Sequence, residues 1–440
     1  MSMVQALFET KPELLDGAIP IGYRQTELGI FPKEWEVKQC SRVSALITVG
    51  IVIRPTQYYV AQGVPAFRSA NIRAGGLDSS HFVFISPEAN ALLSKSQVRA
   101  GDVLTVRTGY PGTSAVVPPA FSGCNCIDVL ITRPSSSLDP DFLAAWINSS
   151  FGKDQVLRNQ GGLAQKHFNV AQMRNLLVAC PPLDEQRAIA AALLDVDRLI
   201  GALDKVIVKN RAIKLATMQQ LLTGKTRLPG FSTGWRYAKL GQLGTTYGGL
   251  TGKTEADFGS GDALYIPFLN IMNNVVIEAS YLAPVRVSET EGQHEVKKGD
   301  LFFNGSSETP EEVGMCAVLL NDLRRVYLNS FCFGFRLNEG SRENGLYLAY
   351  FFRSDEGRQL LYSLAQGATR YNLSKTSLLK LAFKIPSPEE QTAITRVLSD
   401  IDLEIAASEH RRDKITAIKQ GMTQALLTGR IRLLSPKVNT

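Results

Sequence analysis

The seven residues from Gly248 to Thr254, Gly-Gly-Leu-Thr-Gly-Lys-Thr, come nearest to a motif with chemistry of its own. A phosphate-cradling loop, G-x-x-x-x-G-K-[ST], wraps backbone amides around phosphate oxygens and needs a glycine five places before Gly252. Tyr247 stands there, so no ATP site is expected on this chain. The Asn-Pro-Pro-aromatic and Asp-Pro-Pro-aromatic runs of adenine methyltransferases are absent, as are H-E-x-x-H and G-x-S-x-G. The six cysteines and four histidines are scattered. Cys124 and Cys126 form the closest cysteine pair, and their spacing is not C-x-x-C, so neither a metal site nor a disulfide framework is expected. A nuclease assembled from carboxylates dispersed along the chain stays open as an alternative.

The 440 residues are more than one ordinary domain holds, and two to four are expected. The formal net charge of +7 biases the chain toward anionic partners, of which nucleic acid is the commonest. The opening MSMVQALFETKPELL lacks a basic start and an apolar run, so no signal peptide is expected. Apolar stretches such as Leu346 to Phe352 are far too short to span a membrane. A reducing cytoplasm fits this pattern best.

The chain repeats itself. The 48 residues from Pro181 and the 48 from Pro386 align without a gap at an offset of 205, with 21 identities. Glu185-Gln186 matches Glu390-Gln391, Asp195 and Asp197 match Asp400 and Asp402, and Leu-Leu-Thr-Gly ends both copies at Gly224 and Gly429. A proline-containing lead-in, acidic residues in the first turn and a glycine followed by a basic residue at the end describe one long helix per copy. In the first copy Ile189, Leu193, Val196, Ile200, Leu203 and Ile207 alternate spacings of four and three. In the second, Ile394, Leu398, Ile401 and Ile405 keep that rhythm, and Ile415, Met422 and Leu426 resume it. This is a coiled-coil seam, and about 36 residues of it make a rod of roughly 54 Å. Each seam has a partner ready in the other copy. A coil between two chains is the alternative.

Weaker likenesses precede each helix. Phe31 and Trp35 match Phe231 and Trp235, AGDVLTVRTG from Ala100 resembles KGDLFFNGS from Lys298, and FLAAWINS from Phe142 resembles YLAYFFRS from Tyr347. Asp102 to Val106 and Asp300 to Phe303 read as strands, and Phe142 to Asn148 and Tyr347 to Arg353 as helices. The fold class is therefore α+β: two mixed α/β globules, each followed by a long helix. The expected partition is 1–180, 181–226, 227–385 and 386–433, with a tail at 434–440. Trp35 and Trp235 are expected as core anchors.

In this order of globule, helix with an EQ start and LLTG end, globule and helix, the chain resembles the specificity subunit of type I restriction–modification systems along essentially its whole length. The resemblance implies two target-recognition domains, each binding one half of a split double-stranded DNA sequence. It implies two long helices that lie antiparallel as a spacer, with an internal pseudo-twofold. Two methyltransferase (M) subunits carrying S-adenosylmethionine and restriction (R) subunits using ATP and magnesium are the implied partners. No cofactor and no catalysis are implied for this chain itself. A rod of that length suits half-sites about one helical turn of DNA apart, roughly 34–36 Å. A scaffold without DNA recognition is the remaining alternative.

Base edges in the major groove are read by arginine at guanine and by asparagine or glutamine at adenine. The candidates for DNA contact in the first half are Arg68, Asn71, Arg73, Arg107, Thr108, Tyr110, Lys166 and His167. In the second half they are Asn270, Asn273, Asn274, Asn304, Ser306, Ser307, Thr369, Arg370 and Tyr371. The second half carries Asn304-Gly305-Ser306 where the first has an arginine-containing run, so the two halves are not expected to read with the same side chain. A structural alternative is open for each: Asn71, Asn270 and Asn273-Asn274 as turn residues, Arg107 as an ion-pair partner. Glu185, Gln186, Asp195, Asp197, Glu390, Gln391, Asp400 and Asp402 are expected in helix pairing or M-subunit docking.

Overall fold

Two Gly-Asp turns organise the two sheets. Gly101 and Gly299 have φ of 84° and 90°, the left-handed region that favours glycine. Each turn delivers a buried aspartate to the head of a strand. The computed structural model describes residues 19–158, 167–367 and 370–433. Lys166 and Thr369, both expected at the DNA-contact surface, and the 434–440 tail lie outside the described residues.

In the first half, β1 (Ser44–Val49), β2 (Val103–Val106), β3 (Ser114–Val116) and β4 (Val129–Pro134) form one sheet in the order β3-β2-β4-β1. All its pairings are antiparallel, with Leu104 opposite Ile131 and Ile131 opposite Thr48. Asp102, at the head of β2, accepts both arms of the Arg133 guanidinium from β4 at 2.7 Å. Helix α1 (Pro140–Asn148) is capped by Asp139, whose side chain accepts the Phe142 amide, and packs Phe142 and Trp146 into the core. Helix α2 (Leu183–Leu221) follows.

The second half rebuilds the same sheet. β5 (Gly244–Gly248), β6 (Leu301–Asn304), β7 (Cys316–Val318) and β8 (Cys332–Leu337) run in the order β7-β6-β8-β5, again antiparallel. Asp300 accepts both arms of Arg336 at 2.6–2.8 Å. Helix α3 (Gly345–Arg353) covers the sheet with Tyr347, Tyr350 and Phe351, and α4 (Pro388–Leu427) follows.

The chain divides into two compact units. One holds the described residues up to Asp204 together with those from Arg411 onward, and the other runs from Lys205 to His410. This differs from the serial partition of the sequence, because the division falls within both long helices and not at their ends. The physical reason is that each globule packs on the start of one helix and the end of the other. In the first unit Ile189 and Leu193 of α2 share a core with Leu426 and Leu427 of α4. In the second, Met218 and Leu221 of α2 share a core with Ile394 and Leu398 of α4.

Within each unit the two helix segments run antiparallel. Lys419 meets Asp197 at 2.5 Å and Arg412 meets Asp204 at 3.6 Å in the first. Lys214 meets Asp402 at 2.6 Å and Arg211 meets Glu409 at 2.5 Å in the second. Every residue of the expected seam is buried or half-buried. Among the described residues no helix is long and apolar enough to cross a membrane.

Candidate nucleic-acid interface

The most closely repeated residues build a joint between globule and helix. In the first unit the Glu185 carboxylate accepts the Trp35 Nε1–H at 3.2 Å and both arms of Arg432 at 2.6 and 2.9 Å. In the second, Glu390 accepts the Trp235 Nε1–H at 3.2 Å and both arms of Arg227 at 2.5 and 2.7 Å. The glutamate beside each arginine holds its pKa above the ordinary guanidinium value. Gln186 accepts the Asp139 amide at 2.8 Å, and Gln391 accepts the Asn344 amide at 2.8 Å. The EQ pairs are thus buried, and each glutamate ties the start of one long helix to the segment that follows the other. Of the aligned aspartates, Asp197 and Asp402 do pair the helices, and Asp402 also accepts the Tyr350 hydroxyl at 2.7 Å. Asp195 pairs with Arg198 one turn along its own helix, and Asp195 and Asp400 are exposed.

Three expected DNA contacts are buried in the framework. Asn71 accepts the Arg68 amide and donates to the carbonyls of Asp78 and His81. Asn270 accepts the Glu278 amide and donates to the carbonyls of Glu278 and Tyr281. Asn304 donates to the Ser306 carbonyl at 3.3 Å. All three are at most 1% exposed, so they present nothing to a base edge and serve as staples of their loops. Asn274 leans on Asn270, donating to its Oδ1 at 3.1 Å, while Asn273 is exposed.

The other candidates gather at one strand end in each unit. In the first, the Thr108 hydroxyl and His167 Nδ1 are 2.8 Å apart, and Arg107 donates to the Phe168 carbonyl at 3.3 Å. Arg107 also forms an ion pair with Asp128, a non-glycine residue held at a left-handed φ of 51°. Tyr110 is 85% exposed. Arg68 and Arg73 lie on the neighbouring loop. Arg68 is half-buried and donates to the His81 carbonyl, and Arg73 is exposed with Asp78 3.9 Å away.

In the second unit, Ser306 and Ser307 form a short strand paired with Tyr371 and Asn372, and Arg370 donates to the Ser306 hydroxyl at 3.2 Å. Arg370 and Lys375 are exposed on this edge. The sequence reading missed Asp128, Lys375 and the exposed Phe331. Asp128 and Phe331 were findable only by aligning the halves through the arginines that brace the Gly-Asp turns.

No group of three or more His, Cys, Asp or Glu side chains suited to a metal occurs among the described residues. The two surfaces offer hydroxyls, an imidazole, guanidiniums, the carboxylates of Asp128 and Glu312, and aromatic rings: donors, acceptors and apolar edges.

A model of the type I restriction modification DNA specificity domain matches twice, at residues 32–209 and 232–417. The StySPI type I restriction enzyme specificity subunit of Salmonella potsdam is 22% identical over 430 residues, covering 92% of this chain and 90% of that one. The EcoKI specificity subunit of Escherichia coli is 22% identical, covering 92% and 90%. The crystal structure of a type I restriction-modification S subunit from M. genitalium superposes with a TM-score of 0.56 at 12% identity, over 89% of this chain and 96% of that one.

Proposed function

The chain belongs to the type I restriction modification DNA specificity family, and from that premise we propose that each of its two units reads one half of a split duplex target. The observation that carries this reading is a duplicated frame with unlike reading edges. Sheet order, the Asp–Arg brace and the Trp–Glu–Arg joint recur. The strand-end surfaces do not: Arg107, Thr108, Tyr110 and His167 on one, Ser306, Ser307, Arg370 and Tyr371 on the other. Unlike surfaces call for unlike half-sites, so the target is asymmetric. Arg73 and Asn273 are flanking contacts in this reading. Arg68 and Asn274, half-buried and hydrogen-bonded, support the loops that carry them.

The long helices set the unspecified gap between half-sites, and M subunits dock where Asp195 and Asp400 are exposed. Methylation comes from the M subunits with S-adenosylmethionine, and ATP- and magnesium-dependent cleavage from the R subunits. This chain supplies recognition in the cytoplasm and no catalysis. Methylome sequencing of cells carrying the chain with its M subunit is expected to show one split adenine-methylated motif with dissimilar halves. Lengthening both helices by one or two turns is expected to change the gap and leave the half-sites unchanged. Altered half-site bases would refute the spacer role, and a palindromic or unsplit motif would refute the whole reading.

A further inference from the structure

Phe331 occupies the place in the second unit that Asp128 occupies in the first. Asp102 and Asp300 head equivalent strands, so Leu104 corresponds to Phe302. Leu104 lies opposite Ile131 and Phe302 opposite Gly334. Counting back along the partner strands, Val129 corresponds to Cys332 and Asp128 to Phe331. Counting forward along the first strands, Arg107 corresponds to Gly305. The hydrogen bonds agree, since the Arg107 carbonyl accepts the Phe168 amide at 3.0 Å and the Gly305 carbonyl accepts the Leu373 amide at 2.9 Å. An ion pair at one strand end is therefore replaced, at the matching end, by a glycine and a phenylalanine.

That phenylalanine is displayed, not packed. It is 60% exposed. Its backbone is fixed on both sides: the Phe331 amide donates to Asn329 Oδ1 at 3.0 Å, and its carbonyl accepts the Gly305 amide at 2.9 Å. Asn329 is itself buried and donates to the Ile266 carbonyl at 3.0 Å. A buried asparagine thus braces the turn that holds an aromatic ring in water. A Cβ at Gly305 would lie 3.1 Å from the Phe331 carbonyl oxygen, so the glycine lets the two strand ends meet closely. Ser306, next along the strand, is held by Arg370; exposed Arg370 and Lys375 lie on this edge together with Glu312, which accepts the Ser307 hydroxyl at 3.0 Å. A ring with two rotatable bonds on a fixed turn loses little freedom on binding. Among major-groove base edges the apolar feature is the thymine 5-methyl group.

We propose that Phe331 is a specificity-determining residue of the second unit, making an apolar contact with a thymine methyl group in the second half-site. The assignment rests on the DNA-reading function proposed above. In the first unit the same position carries a carboxylate that holds Arg107, so the two half-sites differ at the matching base pair.

The test uses the full-length chain with its M subunits and duplexes carrying the methylome-defined motif. Uracil is substituted for each thymine of the second half-site in turn. Wild type is expected to bind one such duplex about fourfold more weakly, the worth of one buried methyl group. F331A is expected to show that loss on the thymine duplex, no further loss with uracil, an unchanged first half-site and an unchanged melting temperature. Three results would overturn the proposal: F331A binding like wild type, F331A losing affinity equally on every second half-site variant, or wild type insensitive to every thymine. Absence of any split motif for wild type would instead remove the DNA-reading function itself.

Discussion

Replacing Arg432, close to the C-terminus, is expected to loosen the N-terminal globule. Its guanidinium holds both oxygens of Glu185, a carboxylate only 1% exposed, and the two residues are 247 apart in sequence. Arg432→Met leaves that carboxylate with the Trp35 Nε1–H at 3.2 Å. Breaking a fully buried pair by removing one partner costs about 3–5 kcal/mol, because an uncompensated charge stays behind. Arg432 is 20% exposed and water reaches its end of the joint, which lowers the figure to about 2–3 kcal/mol. At 1.4 kcal/mol per tenfold, amides protected by this joint exchange roughly 30- to 140-fold faster. Hydrogen–deuterium exchange read by peptide is the assay. The increase is expected over residues 31–39 and 177–190, with 231–239 and 382–395 unchanged. Arg227→Met is expected to give the mirror image, since Arg227 holds Glu390 in the same way. Faster exchange in the second unit on Arg432→Met, or in neither unit, would refute the reasoning.

Asp128→Ala releases Arg107 from its ion pair, so binding to a random duplex is expected to depend more steeply on salt, by about 0.9 in the log–log slope for one added phosphate contact; an unchanged slope in a fluorescence-anisotropy titration counts against it. Gly429 and Gly224 both have left-handed φ, 66° and 70°. A Cβ at Gly429 would lie 2.5 Å from Pro32 Cγ, whereas at Gly224 the nearest atom is a Trp235 ring carbon at 3.3 Å. Each alanine substitution is expected to cost about 1 kcal/mol for conformation, and Gly429→Ala about 1–3 kcal/mol more for overlap; urea melts giving the opposite order would contradict this. Burial pushes the Cys40 thiol up to about 11. The folded state holds that proton, so the contribution to stability is complete below the unfolded thiol value of about 8.5 and is lost as pH rises through about 11. Iodoacetamide labelling of native Cys40, followed by mass spectrometry, is expected to be slow and to go on climbing about tenfold per pH unit through about pH 9; a rate that levels off near that pH would show a thiol of ordinary pKa.

The long helices, the first strands and the duplicated order were legible because they rest on local pattern: the four-three spacing from Ile189 to Ile207, and the Gly-Asp turns before Val103 and Leu301. What Glu185-Gln186 do was not. Acidic residues opening a helix look the same whether water or a guanidinium 247 residues away meets them. Asn71 and Asn270 stand in recurrent blocks because they staple loops, and their acceptors at Asp78, His81, Glu278 and Tyr281 belong to text that differs between the halves. Arg107 and Arg370 were singled out by residue type alone. Asp128 and Phe331 were not, since segments of unequal length separate them from the blocks that align, and the register is fixed only once Arg133 and Arg336 are seen gripping Asp102 and Asp300.

The two joints are alike in chemistry and unlike in chain order, which fixes when each can close. Trp235 and Arg227 follow the end of α2 directly and meet Glu390 at the start of α4, so the second joint needs a continuous stretch of chain. The first needs Trp35, Glu185 and Arg432, three segments separated by 150 and 247 residues. A globule at the N-terminus ordinarily folds first during synthesis. Here its sheet and α1 can form early, but the Trp35–Glu185 contact buries a carboxylate whose counter-ion has not been made, a cost that favours keeping the start of α2 solvated. Leu426 and Leu427, which complete the core around Ile189 and Leu193, also arrive last. Stalled nascent chains are therefore expected to gain protease resistance in the second unit once Leu398 has emerged, and around Glu185 only after Arg432 has. Protection at Glu185 in chains ending before Leu426 would show that the first joint closes without its C-terminal partner.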